Sequence, residues 1–177
     1  MNGKLRGFSA FWYEGTVRQA ILQMKVQGEY QLTGQLASRL AACAPRLPDN
    51  AKPVFIPIPR FGPPDLRRRC DFPSTAARVL ADAFQGEDGT GLLVKVRKTP
   101  LQTKLSDTER RTNVAGAFQL SAQAAHMVEG RSIVIVDDVL TTGATIGAAT
   151  EAILPARPHQ CLYLTLARSR ATILAGL

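Results

Sequence analysis

Apolar positions along the chain change period from one stretch to the next. Between residues 14 and 44, Val17, Ile21, Met24, Leu32, Leu36 and Leu40 recur every three or four positions in two segments split by Gly28. This spacing predicts two amphipathic helices, each with one buried face. The stretch "LPDNAKP" (47–53) is a linking loop. "VFIPIP" (54–59) is an apolar run whose prolines stop a strand almost as it forms, so its tip should be an irregular loop. "STAARVLADAF" (74–84) opens on capping hydroxyls and continues in good helix formers. "GEDGTG" (86–91) is a turn cluster before a short strand, "LLVKV" (92–96). Residues 97–113 are polar, basic and aperiodic, the pattern of a mobile loop running into a short helix. "SIVIV" (132–136) is an unbroken β-branched run, as in a central parallel strand covered on both faces. "IGAATEAIL" (146–154) resumes as a helix that Pro155 ends, and "CLYLTLA" (161–167) adds a strand.

Strands alternating with helical segments predict an α/β fold, a mostly parallel central sheet flanked by helices. The 177 residues suit a single domain, 1–177, with an N-terminal helical part over 12–44 and a core over 52–170. No internal repeat or low-complexity tract interrupts it. Hydrophobic residues at 45% and charged residues at 20% are ordinary globular composition. No apolar run approaches the roughly 20 residues of a bilayer span, and the first residues do not resemble a secretory signal, so a cytoplasmic location is the default expectation. Cys43, Cys70 and Cys161 are scattered and odd in number, which predicts free thiols and no zinc site. The net charge of +8 favours anionic partners, phosphorylated metabolites or nucleic acid alike.

Candidate chemistry concentrates in "VIVDDVLTTGATI" (134–146). Ligands of open α/β sheets bind at the carboxyl ends of strands, where Asp137, Asp138 and the following loop must lie. Thr141, Thr142, Gly143, Ala144 and Thr145 run into a helix, so backbone N–H groups, the positive helix end and threonine hydroxyls can converge on a phosphate. Gly143 permits close approach of the backbone. The carboxylates suit the hydroxyls of a sugar, or hydrated magnesium. Together these features describe a sugar phosphate. An acidic pair after a strand can also be plain loop chemistry or the metal pocket of a signalling domain. The loop lacks the lysine of a Walker motif, so nucleoside triphosphate hydrolysis is not expected.

This segment closely resembles the phosphoribosyl pyrophosphate (PRPP) signature of type I phosphoribosyltransferases. "YEGTVRQAILQMKVQGEY" (13–30), "PVFIPIPR" (53–60), "QTKLSDTERRTNVAGAF" (102–118) and "LTLARSR" (164–170) occur in the order seen in ComF-type competence proteins. The resemblance covers most of residues 12–170. It implies a type I phosphoribosyltransferase-like fold with a small hood region, and a magnesium-dependent pentosyl transfer from PRPP to an acceptor. Asp137 and Asp138 would bind the ribose 2′ and 3′ hydroxyls and hold Mg²⁺ indirectly, and residues 141–145 would cradle the 5′-phosphate. Ile58, Pro59 and Arg60 would form the pyrophosphate loop, with Arg60, Asp137 and Asp138 as the catalytic set. Residues 97–112 resemble the flexible loop that closes over PRPP, bringing Arg97, Lys98, Lys104, Arg110 and Arg111 to the leaving pyrophosphate. The ComF resemblance also implies a role in competence or DNA uptake, with single-stranded DNA and a helicase as partners. Dimers are common among related folds, which makes a homodimer an expectation here.

Two stretches depart from those relatives. No cysteine precedes Cys43, so the zinc-binding segment of many relatives is not expected. "RRRCDFPST" (67–75) stands where relatives carry Arg-Gly-Phe-Asn-Gln, and only Phe72 and an arginine correspond. Arg67, Arg68 and Arg69 read equally as a solvated loop or as an attractor for pyrophosphate or single-stranded DNA. Phe8, Phe11, Trp12 and Tyr13 could stack bases beside Arg6, although packing onto the core is the ordinary fate of such a cluster. His126 and His159 lack ligand partners at metal spacing and should be surface residues. A non-enzymatic module for single-stranded DNA and a PRPP-responsive regulator remain alternatives to an enzyme.

Overall fold

The computed structural model describes residues 6–27, 30–47, 52–62, 71–99 and 113–170. Its centre is a five-stranded, all-parallel sheet in the order β1-β7-β6-β2-β3, formed by β1 (Arg6–Trp12), β2 (Val54–Pro57), β3 (Glu87–Asp88), β6 (Ser132–Leu140) and β7 (Gln160–Arg168). Helices α1 (Gly15–Gln27), α2 (Tyr30–Cys43) and α3 (Phe72–Ala83) pack on one face. The short α4 (Ala125–Val128) and the longer α5 (Ala144–Ile153) pack on the other. A separate antiparallel pair, β4 (Leu93–Lys95) with β5 (Phe118–Leu120), flanks the α5 side. This is the α/β architecture predicted from the alternation of periods.

Strand β6 sits at the middle because its sequence can be buried on both faces. Ile133 and Ile135 enter one apolar cluster and Val134 and Val136 the other, all four inaccessible to solvent. Their β-branched side chains suit a pleated surface covered on both sides. The apolar run ends at Val136, but pairing with β7 continues through Asp137, Val139 and Leu140, so the strand reaches beyond the expected 136. The carboxylates are therefore carried on ordered strand backbone, which holds them more firmly than a loop would.

The structure corrects the reading of the N-terminus. The part expected to be helical from residue 12 is preceded by an edge strand, β1, paired in parallel with β7. Its "RGFSAFW" lacks a clean alternation, and Gly7 is needed where the Tyr163 ring lies over the backbone. Helix α3 starts at Phe72, ahead of the expected Ser74, because Pro73 is tolerated in a first turn whose N–H groups have no helical partner. Asp71 precedes it in an extended conformation, accepts a hydrogen bond from Ser74 Oγ, and offers its carbonyl to Thr75 N at 3.0 Å. Strand β5 and helix α4, which no pattern announced, complete the chain between the small sheet and β6. Among the described residues no helix is long and apolar enough to cross a membrane.

Candidate functional site

The carboxyl ends of β2, β6 and β7 meet at one rim. Ile58 N donates to Val136 O at 2.9 Å, which ties the end of β2 to the last apolar residue before the carboxylates. Ile58 turns its side chain into the core, and Pro59 and Arg60 continue outward, Arg60 being exposed. Phe61 then bridges to Lys95 of β4, so the loop after β2 is tied to the small sheet as well.

Asp137 and Asp138 leave the strand on opposite faces, as neighbours on a strand must. Asp137 Oδ1 accepts the Asp138 backbone N–H at 2.8 Å. Asp138 Oδ2 pairs with Lys25 Nζ at 2.8 Å, from a lysine near the end of α1. Burial, followed by the charge of Asp138, pushes the Asp137 carboxyl up to about 7; the backbone hydrogen bond and the Lys25 ammonium oppose this, and Asp71 adds to it. Asp71 in turn holds Arg60, whose Nε lies 3.0 Å from Asp71 Oδ1. Lys95 is another cation at this corner. Burial and Arg97 lower its pKa while the Asp137 carboxylate raises it, and its Nζ donates to Thr99 Oγ1 at 2.8 Å and lies 5.5 Å from the Phe118 ring centroid.

Beyond β6 the chain passes through Thr141 and Thr142 to Gly143, which adopts φ +76° as the residue capping α5. A left-handed residue there turns the strand sharply into the helix, and glycine takes that conformation without steric penalty. Thr142 is buried and its Oγ1 accepts the Ala144 N–H at 3.4 Å, a long contact, while Gly147 N bonds Gly143 O at 2.8 Å to close the first helical turn. The first N–H groups of α5 thus face the rim with the positive end of the helix behind them.

Of the residues singled out in the sequence, Asp137, Asp138, Thr141–Thr145 and Ile58–Arg60 share this rim. Arg97 is committed differently: it donates to the carbonyls of Asn113 at 3.0 Å and Ala115 at 2.7 Å, bracing the two ends of the connection that resembles the closing loop. Lys98 is exposed. Lys104, Arg110 and Arg111 within that connection, and Arg67–Arg69, lie outside the described residues. Cys43 and Cys161 are free thiols, burial raising the latter to about 11, whereas Cys70 is outside the described residues. His126 and His159 are both exposed. Lys25, Asp71 and Lys95 were not singled out. They fall within "YEGTVRQAILQMKVQGEY", "RRRCDFPST" and "LLVKV", but only the tertiary fold brings them together at the carboxylates.

Among the described residues no cluster of three or more histidine, cysteine, aspartate or glutamate side chains could cage a metal ion. The donor set is the Asp137–Asp138 pair. Two carboxylates suit a hydrated cation that takes its other ligands from a phosphorylated substrate.

Comparison with known proteins places this geometry. The family described as phosphoribosyl transferase domain is matched over residues 74–174, from α3 to the end of β7 and beyond. The chain is 40% identical over 62 residues to the DNA utilization protein YhgH of Escherichia coli O157:H7, covering 35% of the chain and 26% of that protein. It is 38% identical over 73 residues to adenine phosphoribosyltransferase of Mycobacterium marinum, covering 41% of the chain and 39% of that protein. The matched stretches thus span well under half of either relative. Among solved structures, TT1426 from Thermus thermophilus superposes with a TM-score of 0.49 at 18% identity, over 80% of this chain and 76% of that one. The allosteric regulatory enzyme of purine biosynthesis does so with a TM-score of 0.48 at 21% identity, over 75% and 25%.

Proposed function

Since the chain belongs to the phosphoribosyl transferase domain family, we propose that the rim of β2, β6 and α5 binds PRPP and supports transfer of its phosphoribosyl group to an acceptor. The observation that carries this reading is the junction of β6 with α5. Two ordered carboxylates there are followed, after Val139–Thr142, by a left-handed Gly143 that presents a helix N-terminus. Asp137 and Asp138 accept hydrogen bonds from the ribose hydroxyls. The N–H groups and hydroxyls of residues 141–145 bind the 5′-phosphate. Arg60 exchanges Asp71 for the pyrophosphate, and Lys95 adds a second positive charge on that side. Magnesium, when bound with PRPP, neutralises the pyrophosphate, and Asp137 and Asp138 would hold it through its waters.

In the transfer, pyrophosphate departs from C1 with the electron pair of the C1–O bond, and a lone pair of the acceptor forms the new bond to C1. The protein contributes alignment of the two groups and stabilisation of charge on the leaving oxygens, with no covalent protein intermediate. Calorimetry with PRPP and Mg²⁺ tests the reading. The wild type should bind, and Asp137→Asn and Asp138→Asn should each weaken binding by at least tenfold. A wild type without measurable PRPP binding sinks the proposal. Release of pyrophosphate across a panel of bases and amines separates a transferase from a PRPP-responsive regulator.

Similarity to the DNA utilization protein over 62 residues supports a second reading, a module that handles single-stranded DNA. Binding of an oligonucleotide that weakens with salt and survives Asp138→Asn would favour it. Absence of such binding at low salt would count against it.

A further inference from the structure

The N-terminal aromatic cluster separates into two kinds of residue. Phe8, Phe11 and Tyr13 pack against the core, while Trp12 remains 41% exposed. Trp12 ends β1 in register with Arg168 of β7, and Arg168 pairs with Leu140, the last residue of β6 before the hydroxyl loop. With neighbouring strands about 4.8 Å apart, Trp12 lies roughly 10 Å along the same rim from Leu140. Arg168 is in register with Leu140, which packs into the cluster beneath α5, whereas the preceding pair of Val139 and Ala167 packs on the α1 side, so Arg168 turns toward the α5 side of the rim. Helix α1 starts three residues after Trp12 and ends within a lysine's length of Asp138. The tryptophan corner and the carboxylates therefore lie along one rim, at the carboxyl ends of β1, β7 and β6.

Two guanidinium groups flank the indole, each with its central carbon 5.6 Å from the ring centroid. Their situations differ. Arg170 is held by Glu14 at 3.0 and 3.1 Å, and its side chain is 75% exposed, so it can move aside at little cost. Arg168 is partly buried, and its Nε is shut off from solvent without a hydrogen-bond partner among the described residues. Buried donors in folded proteins are nearly always satisfied, and an unsatisfied one on a cation next to an exposed indole calls for an oxygen acceptor on a flat ring.

We propose that Trp12 and Arg168 form a subsite for the acceptor, and that this acceptor is a planar aromatic ring bearing a carboxylate. The ring stacks on Trp12 in place of Arg170, and the carboxylate bonds the Arg168 guanidinium. The role as acceptor site rests on the reading of residues 137–145 as the PRPP pocket; the ring and its charge rest on the tryptophan corner alone.

Trp12 is the only tryptophan in the chain, so its fluorescence reports on this corner without interference. The probes are pyridine-3-carboxylate, the isosteric pyridine-3-carboxamide and octathymidylate, each titrated with and without Mg²⁺ and PRPP. The carboxylate should quench saturably, and the amide should need at least a tenfold higher concentration. Arg168→Gln should weaken the carboxylate response at least tenfold, Arg168→Lys less, and both should leave PRPP binding by calorimetry within twofold of wild type. If the Arg168 variants do not fold, the contrast between acid and amide on the wild type decides alone. Equal responses to acid and amide, silence to all three probes, or quenching by the oligonucleotide only would overturn the subsite. PRPP binding with a silent Trp12 removes this inference and leaves the PRPP pocket standing. Quenching by the acid without PRPP binding removes the pocket reading and the acceptor role together.

Discussion

Asp137 carries the strongest electrostatic tension in the site, and its sign can be worked out. Its carboxyl is raised from 3.8 to about 7, first by burial and then by Asp138. Between those values the folded protein holds a proton that the unfolded chain has released, so this group's contribution to stability falls as pH rises and is lost above about 7. Asp137→Asn keeps an oxygen to accept the Asp138 N–H and removes the charge. The variant should therefore be more stable than wild type at pH 8, by roughly 4 kcal/mol, and the difference should vanish near pH 4 in urea titrations. The same variant should lose PRPP affinity, the usual trade between stability and a strained site. Lys25 acts in the opposite sense on this carboxyl, so Lys25→Met should raise it further. PRPP affinity in the variant should be roughly tenfold weaker near pH 7, recover by pH 9, and be restored by Lys25→Arg, as calorimetry across pH would read. The acidic pair was legible in the sequence because both members are contiguous and close a β-branched run. Lys25 and Lys95 were not, since each reaches the pair from an element distant in sequence.

At the scale of elements, the β6–α5 junction shows which local signals suffice. An apolar run, two acids, hydroxyls and a glycine foretold a strand that turns into a helix, and Gly143 at φ +76° is the residue on which that turn depends. Any side chain at this position meets the steric penalty of the left-handed region, so Gly143→Ala should destabilise the fold by about 1–2 kcal/mol in thermal unfolding. It should also tilt the first N–H groups of α5 away from the rim, and inorganic phosphate should compete with PRPP at least several-fold less well. Strand β1 failed to announce itself because an edge strand is buried on few sides and its sequence alternates poorly. Strand β4 was foretold by "LLVKV", whereas its three-residue partner β5 fell below what period-two patterning can detect and is held in place by pairing with β4 and by the burial of Phe118 beside Leu93 in the core.

For the molecule as a whole, the site is assembled from parts with different sequence signals. Residues 74–174 match the family and carry the carboxylates, the loop at 141–145 and Arg168, while Ile58–Arg60 and Asp71 lie ahead of that match. Lys25 and Trp12 come from the β1–α1 segment outside that match, which is fastened to the sheet through β7. At the far end of β1, Gly7 packs under the Tyr163 ring, and even a methyl group there would collide with it. Tyr163 is itself part of the buried cluster beneath α5, so it has little room to move. Gly7→Ala should therefore destabilise the protein by about 1–3 kcal/mol through overpacking. In a Tyr163→Ala background the obstacle is absent, so the same change should be nearly neutral, a coupling of about 1–3 kcal/mol in a double-mutant cycle. A loosened β1 also loosens the connection into α1, where Tyr13 N bonds Arg168 O at 2.8 Å, and the far end of that helix carries Lys25. Gly7→Ala should then weaken PRPP binding with the pH signature of Lys25→Met, weak near pH 7 and recovering by pH 9, although residue 7 touches no ligand. If Gly7→Ala lowered stability while leaving PRPP affinity unchanged at every pH, β1 would be an independent edge strand and Lys25 would be held in place by the packing of Ile21 and Met24 alone.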